Sequence, residues 1–266
     1  MPCSRKGATG CIVFDPDKHD WSILGEQDIL INAAGIIRES KDDDFKKVHV
    51  DLVRTILANR NKIGNPRIIH ISALGADARH EISFLRTKAI GDELLLSHPD
   101  TFVLRPSIVC LPGTLLVRKF KWLVFMCKVL QSRPIMPQGF AHTRVQPVMP
   151  EDLFELIHIL CEKSSDLREI DVVGNSPFSF KELLEMASGK AKLFPIELPK
   201  KLLVPVTKNF ISVWFPDLMN EDQFHLLFKD NIASAEGLKS VLKRNPLESK
   251  DFWSQEFKNV HMSDLF

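Results

Sequence analysis

The chain has 266 residues, 35 basic against 34 acidic side chains, a net charge of +1 and 44% hydrophobic residues. That balance excludes electrostatic capture of nucleic acid or of an anionic membrane by the molecule as a whole, and the length is enough to bury a large core. There are 18 phenylalanines and no tyrosine, so every mechanism that needs a phenol as acid, base or nucleophile is excluded.

The first fourteen residues carry Arg5 and Lys6 but neither an apolar signal core nor an amphipathic face. Apolar, β-rich runs then alternate with helical stretches. The runs fall at 11–14, 28–32, 67–72, 102–105 and 169–173, and they are nearly continuous in apolar residues, as parallel strands covered on both faces are. Between the second and third, Phe45, Val48, Leu52, Val53, Ile56 and Leu57 share one helix face, and Gly64-Asn65-Pro66 ends the helix. Further helices are expected at about 83–97 and 151–161. Ser179-Phe-Lys-Glu182 is a capping box opening another, to about residue 188. The stretch 122–130, behind Arg118, Lys119 and Lys121, is too short to span a bilayer and suits either a core helix or a partner groove. Past Pro195 the pattern loosens into Pro-punctuated apolar helices.

Strand–helix repetition of this kind implies right-handed crossovers and an α/β, doubly wound parallel sheet. Its ligands sit beyond the carboxyl ends of the strands, where Asp15, Asn32-Ala-Ala-Gly35, Ser72 and Arg105-Pro-Ser107 fall. The five cysteines (Cys3, Cys11, Cys110, Cys127, Cys161) show no Cys-x-x-Cys spacing, which argues against structural zinc or a disulfide framework and for a reducing compartment. The nine histidines form no pair at metal-ligating spacing, so no metal site is expected and each reads as a surface or half-buried side chain.

Asn32-Ala-Ala-Gly35, Ser72-Ala-Leu-Gly75, Phe84-Leu-Arg-Thr-Lys88, Leu104-Arg-Pro-Ser-Ile108 and Gln146-Pro-Val148 occur in an order that resembles the atypical, extended-type short-chain dehydrogenase/reductases. Within that superfamily the pattern is similar to the NADPH-binding accessory subunit of respiratory complex I and to bacterial epimerase-like proteins. The resemblance covers roughly residues 15–189 and implies an NAD(P)-binding Rossmann-like fold. It also implies NADP or NAD as cofactor, with Asp15, Asn32, Ala33, Ala34, Gly35, Ser72, Lys88, Arg105, Pro106 and Ser107 as the contacting positions. Asp15 would lie near the adenine and Lys88 on the ribose hydroxyls. Arg105 either contacts the nicotinamide end or simply pairs with an acid.

Three departures follow. The family's middle motif reads Tyr-x-x-x-Lys, in which a lysine one turn away favours the phenolate that exchanges a proton with substrate; here Lys88 is kept and its partner is Phe84. The position of the family's catalytic hydroxyl falls near Ala73 or Leu74. Gly7-Ala-Thr-Gly10 looks like a fragment of the phosphate loop but lacks the third glycine and the following helix, and reads as coincidence or relic. The first β-α-β unit is therefore expected to be absent.

The expected organisation is a truncated Rossmann-like domain over 1–189, with a substrate-side insertion at about 110–150, and a small, mostly helical lobe over 190–266. The resemblance implies a non-catalytic or impaired protein acting as a structural or nucleotide-sensing subunit, with a protein partner or membrane-bound complex reached through the cationic apolar segment at 119–130. Its compartment would be the cytoplasm or the mitochondrial matrix side. The alternative is an active NAD(P)-dependent oxidoreductase or nucleotide-sugar epimerase that uses another acid, with His80, Arg86 or water as candidates.

Overall fold

The computed structural model describes residues 2–4, 9–129, 134–188, 196–199 and 228–257. The chain forms two compact units, Met1–Leu104 with Leu160–Ile170, and Arg105–Ile159 with Asp171–Phe266. Neither ends at residue 189, because the segment expected as an insertion groups with the C-terminal residues.

The first unit is built on a sheet of order β3-β4-β5-β8, formed by Ile29–Asn32 (β3), Arg67–Ile71 (β4), Thr101–Pro106 (β5) and Glu169–Val172 (β8). These are four of the five expected strands. β3 pairs with β4 in parallel register, Ile29 opposite Arg67 and Asn32 opposite His70, and β4 pairs with β5 up to Ile71 opposite Leu104. Asn32 and His70 thus share the last rung at the carboxyl end.

The crossover from β3 to β4 is helical. A wide π turn at Lys47–Asp51 leads into α1 (Leu52–Asn59) and a 3-10 turn at Arg60–Ile63, and Gly64 stops it in the left-handed region at φ +84°. The wide turn buries Val48, His49 and Val50 together. The next crossover, α2 (Ser83–Leu96), crosses that turn at Gly91, where an added Cβ would stand 2.3 Å from the His49 carbonyl oxygen. Val53, Ile56, Ile63, Ile68, Leu95 and Val103 form the core between α1, α2 and the sheet. Arg67 ties the strand ends down. Its guanidinium pairs with Asp100 at 2.7 Å and donates to the carbonyls of Leu160 and Lys163.

The run at 11–14 does not join the four-stranded sheet. Its strand, β2 (Ile12–Val13), pairs instead with β1 (Cys3–Ser4) in a separate two-stranded parallel sheet. The cause is the turn that follows. Asp15 accepts from the Asp17 amide and the Trp21 indole donates to the Pro16 carbonyl at 3.1 Å, which folds Phe14 and Trp21 edge-on into the core at 5.3 Å. β3 is left as the edge of the four-stranded sheet, with Ile31 48% exposed.

The second unit contains α3 (Leu115–Val129), β6 (Ile135–Pro137), β7 (Arg144–Val145), most of α4 (Pro150–Glu162), β9 (Phe178–Ser179), α5 (Phe180–Ser188), β10 (Ile196–Leu198), α6 (Glu236–Leu242) and α7 (Lys250–Glu256). β10 pairs with β6 and β7 with β9, so this part is not purely helical. Its core is aromatic: Phe120 lies 5.7 Å from Trp253, Trp253 stacks on Phe257, and Phe140 stacks on Phe180 at 4.5 Å. The α5 capping box forms as expected, Ser179 N–H donating to Glu182 at 2.7 Å and Glu182 N–H to Ser179 Oγ.

The cationic segment is a core helix. Val117, Phe120, Val124 and Cys127 of α3 are buried against α5 and α7, and Lys121 pairs with Glu256 at 2.6 Å, so this face is consumed within its own unit. Among the described residues no helix is long and apolar enough to cross a membrane, and no cluster of side chains could hold a metal ion.

Because the α2 crossing has no room for a methyl group, Gly91→Ala is expected to destabilise the protein by about 1–3 kcal/mol through overpacking, read as a lower urea midpoint by circular dichroism.

Candidate functional site at the carboxyl end of the first sheet

β3 delivers Asn32 to the carboxyl end of the sheet, and the turn after it is made of the small residues Ala33, Ala34 and Gly35. Asn32 is buried and shapes that turn, its Oδ1 accepting from the Ala34 amide at 3.1 Å while its Nδ2 reaches His70 Nδ1 at 3.0 Å. The amide of Ile36, just beyond Gly35, donates to His49 Nε2 at 3.2 Å.

From the other side α2 presents Phe84, Thr87, Lys88 and Asp92. Lys88 is buried and donates to the Ile71 carbonyl at 3.1 Å. Its ammonium is close enough to Gly35 that a Cβ there would stand 2.9 Å from Nζ and would push the amine aside. An ammonium carries three donors, and two remain beside the turn. Burial pulls the Lys88 pKa down to about 8, against the opposing pull of the Asp92 carboxylate. Asp92 is fully buried, accepts from Ser72 Oγ at 2.9 Å and faces His70 Nε2 at 3.7 Å.

Of the expected contacting positions, the structure therefore brings Asn32, Ala33, Ala34, Gly35, Ser72 and Lys88 together. Ser72 spends its hydroxyl on Asp92. Asp15 lies on the earlier turn, where its carboxylate accepts from the Asp17 amide and pairs with Lys18 at 3.3 Å. Arg105, Pro106 and Ser107 belong to the second unit, in which Ser107 Oγ donates to Asn231 Oδ1 at 2.8 Å. Residues 7 and 8 of Gly7-Ala-Thr-Gly10 lie outside the described residues.

Phe84 sits where the resemblance places a phenol, and its ring meets Phe45 and His49 edge-on at 5.9 and 5.6 Å. His49 does not replace the missing acid. Its Nε2 is an acceptor, and burial together with Lys88 holds its pKa down to about 4, so it is neutral. Of the other candidates, Arg86 donates to the carbonyls of His80 and Glu81 and to Ser83 Oγ, and His80 Nδ1 accepts from the Ile82 amide.

His49, His70 and Asp92 were not singled out by the sequence reading, which expected surface or half-buried histidines. Both histidines are 1% exposed. The signal was their position: His70 interrupts the apolar run Arg67-Ile-Ile-His-Ile, and His49 stands one turn from Phe45 on the apolar helix face. Beside this cluster a cavity of about 890 Å³ runs along the outer edge of β3 to Asn32, Ala33 and Ala34, walled by Phe14, Trp21, Leu52 and Ile56.

This arrangement is a Rossmann-like fold, with Lys88 buried beside the turn that follows β3. The solved structures agree on the fold. UDP-glucuronic acid 4-epimerase from Bacillus cereus, in complex with UDP-glucuronic acid and NAD, superposes with a TM-score of 0.64 at 17% identity, over 94% of this chain and 81% of that one. RMD from Pseudomonas aeruginosa complexed with NADPH gives 0.63 at 15% identity, over 94% and 84%.

No family model matches the chain. Curated relatives narrow the resemblance to the mitochondrial complex I subunit. The NADH-ubiquinone oxidoreductase 40 kDa subunit of Neurospora crassa is 23% identical over 214 residues, 79% of this chain and 54% of its own length. NADH dehydrogenase (ubiquinone) 1 alpha subcomplex subunit 9 of Dictyostelium discoideum is 26% identical over 192 residues, 71% and 50%. Its Rattus norvegicus counterpart is 35% identical over 80 residues, 30% and 21%. The chain spans about half the length of the first two of these relatives.

The two neutral histidines set a pH dependence. Burial lowers His49 to about 4 and His70 to about 3 from an ordinary 6.5, so between those values the unfolded chain binds more protons. Stability is therefore expected to be complete above about pH 6.5 and to fall as the pH drops toward 4. A urea midpoint that stays level over that range in wild type, or falls equally in the His70→Asn variant, would contradict this.

Proposed function

We propose that the protein is a non-catalytic, short-chain-dehydrogenase-like subunit of the mitochondrial NADH:ubiquinone oxidoreductase assembly that keeps the ribose half of a dinucleotide site. The observation that carries the reading is the pairing of Phe84 with a retained, buried Lys88. A site that preserves the amine and its glycine cradle while losing the phenol is suited to holding a ligand and not to exchanging a proton with one.

The residues present fit the ribose end of NADPH or NADH. Ala33, Ala34 and Gly35 would let a ligand approach the backbone, and Lys88 would donate to its ribose hydroxyls. When bound, the nicotinamide supplies hydride chemistry; proton movement at the substrate oxygen would need a donor, and the position for it holds a phenyl ring between His49 and Phe45. The names of the curated relatives support the subunit and mitochondrial parts of the reading.

Calorimetric titration with NADPH and NADH is expected to show binding without turnover of UDP-sugars or simple carbonyl substrates. Turnover by the wild-type chain would overturn the non-catalytic reading. Expressed with a tag in mitochondria, the chain is expected to co-migrate with NADH:ubiquinone oxidoreductase on native gels, and migration only as free protein would overturn the subunit reading.

A further inference from the structure

We propose that His49 and His70 are positioning residues that clamp the turn at 32–36 from its two ends and hold it in register with Lys88, in the shape that receives a dinucleotide; the ligand part rests on the reading above. Ala33, Ala34 and Gly35 carry no side chain that could anchor them, so beyond the Asn32 bond to the Ala34 amide the turn relies on contacts from outside.

Polar contacts at each end impose its conformation. At the near end the Ala34 amide donates to Asn32 Oδ1, which orients the Asn32 amide so that Nδ2 donates to His70 Nδ1. The proton of His70 is then on Nε2, 3.7 Å from the Asp92 carboxylate and beyond hydrogen-bond length, while Asp92 accepts from Ser72 Oγ at 2.9 Å. At the far end the Ile36 amide donates to His49 Nε2, which leaves the proton of His49 on Nδ1, 3.0 Å from Thr87 Oγ1. Thr87 Oγ1 donates onward to the Ser83 carbonyl at 2.8 Å.

Each imidazole thus accepts from the turn side with one nitrogen and faces α2 with the other. Opposite donor and acceptor edges on one rigid ring are a property of neutral histidine. Thr87, Lys88 and Asp92 are neighbours on α2, so the helix that carries the amine also carries both anchors of the turn it serves. The π turn at Lys47–Asp51 brings His49 inward to reach Ile36.

The test uses the intact chain. Nitrogen-15 spectra of the wild-type histidines are expected to show a non-protonated Nε2 in His49 and a non-protonated Nδ1 in His70; the opposite tautomers would overturn the clamp without any variant. His49→Phe keeps a ring but no acceptor, and is expected to speed amide exchange at Ile36 about tenfold, the loss of one hydrogen bond, with Ala89 and Ile90 in α2 unchanged. His49→Gln restores an acceptor at that reach and is expected to recover most of the protection; His70→Phe and His70→Asn form the matching pair for Ala34. Exchange unchanged in both phenylalanine variants, or accelerated equally throughout α2, refutes the proposal.

With NADPH as the probe, affinity is expected to fall about tenfold or more in His49→Phe and to return in His49→Gln. Unchanged NADPH affinity in His49→Phe refutes the clamp. If wild type itself fails to bind NADPH, the dinucleotide reading falls and with it the ligand part of this proposal, while the exchange data alone decide the clamp.

Discussion

Lys88 is the group around which the first unit is arranged. An ammonium taken out of water is stable only if its charge is compensated and its donors are met. Here Asp92, one turn further along α2, supplies the compensation, and the Ile71 carbonyl at the end of β4 takes one donor. Those two requirements fix the rotation of α2 about its axis and its height above the sheet. Gly91, between them in sequence, follows from the same placement, because α2 must come down onto the His49 carbonyl for Lys88 to reach the strand end. Gly35 does too, since the ammonium occupies the space a side chain would need.

Once the amine is fixed, the polar groups near it have little freedom. His70 and His49 both lie within reach of its field, and together with burial that keeps them neutral. A neutral imidazole can accept from an amide, which is the use both are put to. The site therefore contains a cation, a carboxylate and two uncharged rings, with a phenyl group where the resemblance places a phenol.

The β3, β4, β5 and β8 strands were legible because each is a short, almost unbroken apolar run, and the stop at Gly64 and the Ser179–Glu182 cap were legible because both are local. The placement of β2 was not. Its residues look like any other strand, and what decides its partner is a turn at Asp15 to Trp21 that sends Phe14 and Trp21 under the neighbouring helix. The unit boundaries were hidden for a similar reason, since the grouping of 105–159 with the C-terminal helices depends on α3 packing on α5 and α7, contacts far apart in sequence. At the site, Asn32, Gly35 and Lys88 could be read from motif order, whereas the histidines that hold them in place follow no spacing rule and show only as polar residues on apolar faces.

The cavity wall beside β3 contains Trp21, buried, with its indole tied to the Pro16 carbonyl. In most proteins its emission would be mixed with that of tyrosine. Here there is none, and the indole emission belongs to four tryptophans, one of them this residue and another, Trp253, sealed in the aromatic core of the second unit. The composition thus equips the molecule with an intrinsic fluorophore on a cavity that ends at Asn32, and with a second that reports on a separate unit as its internal reference.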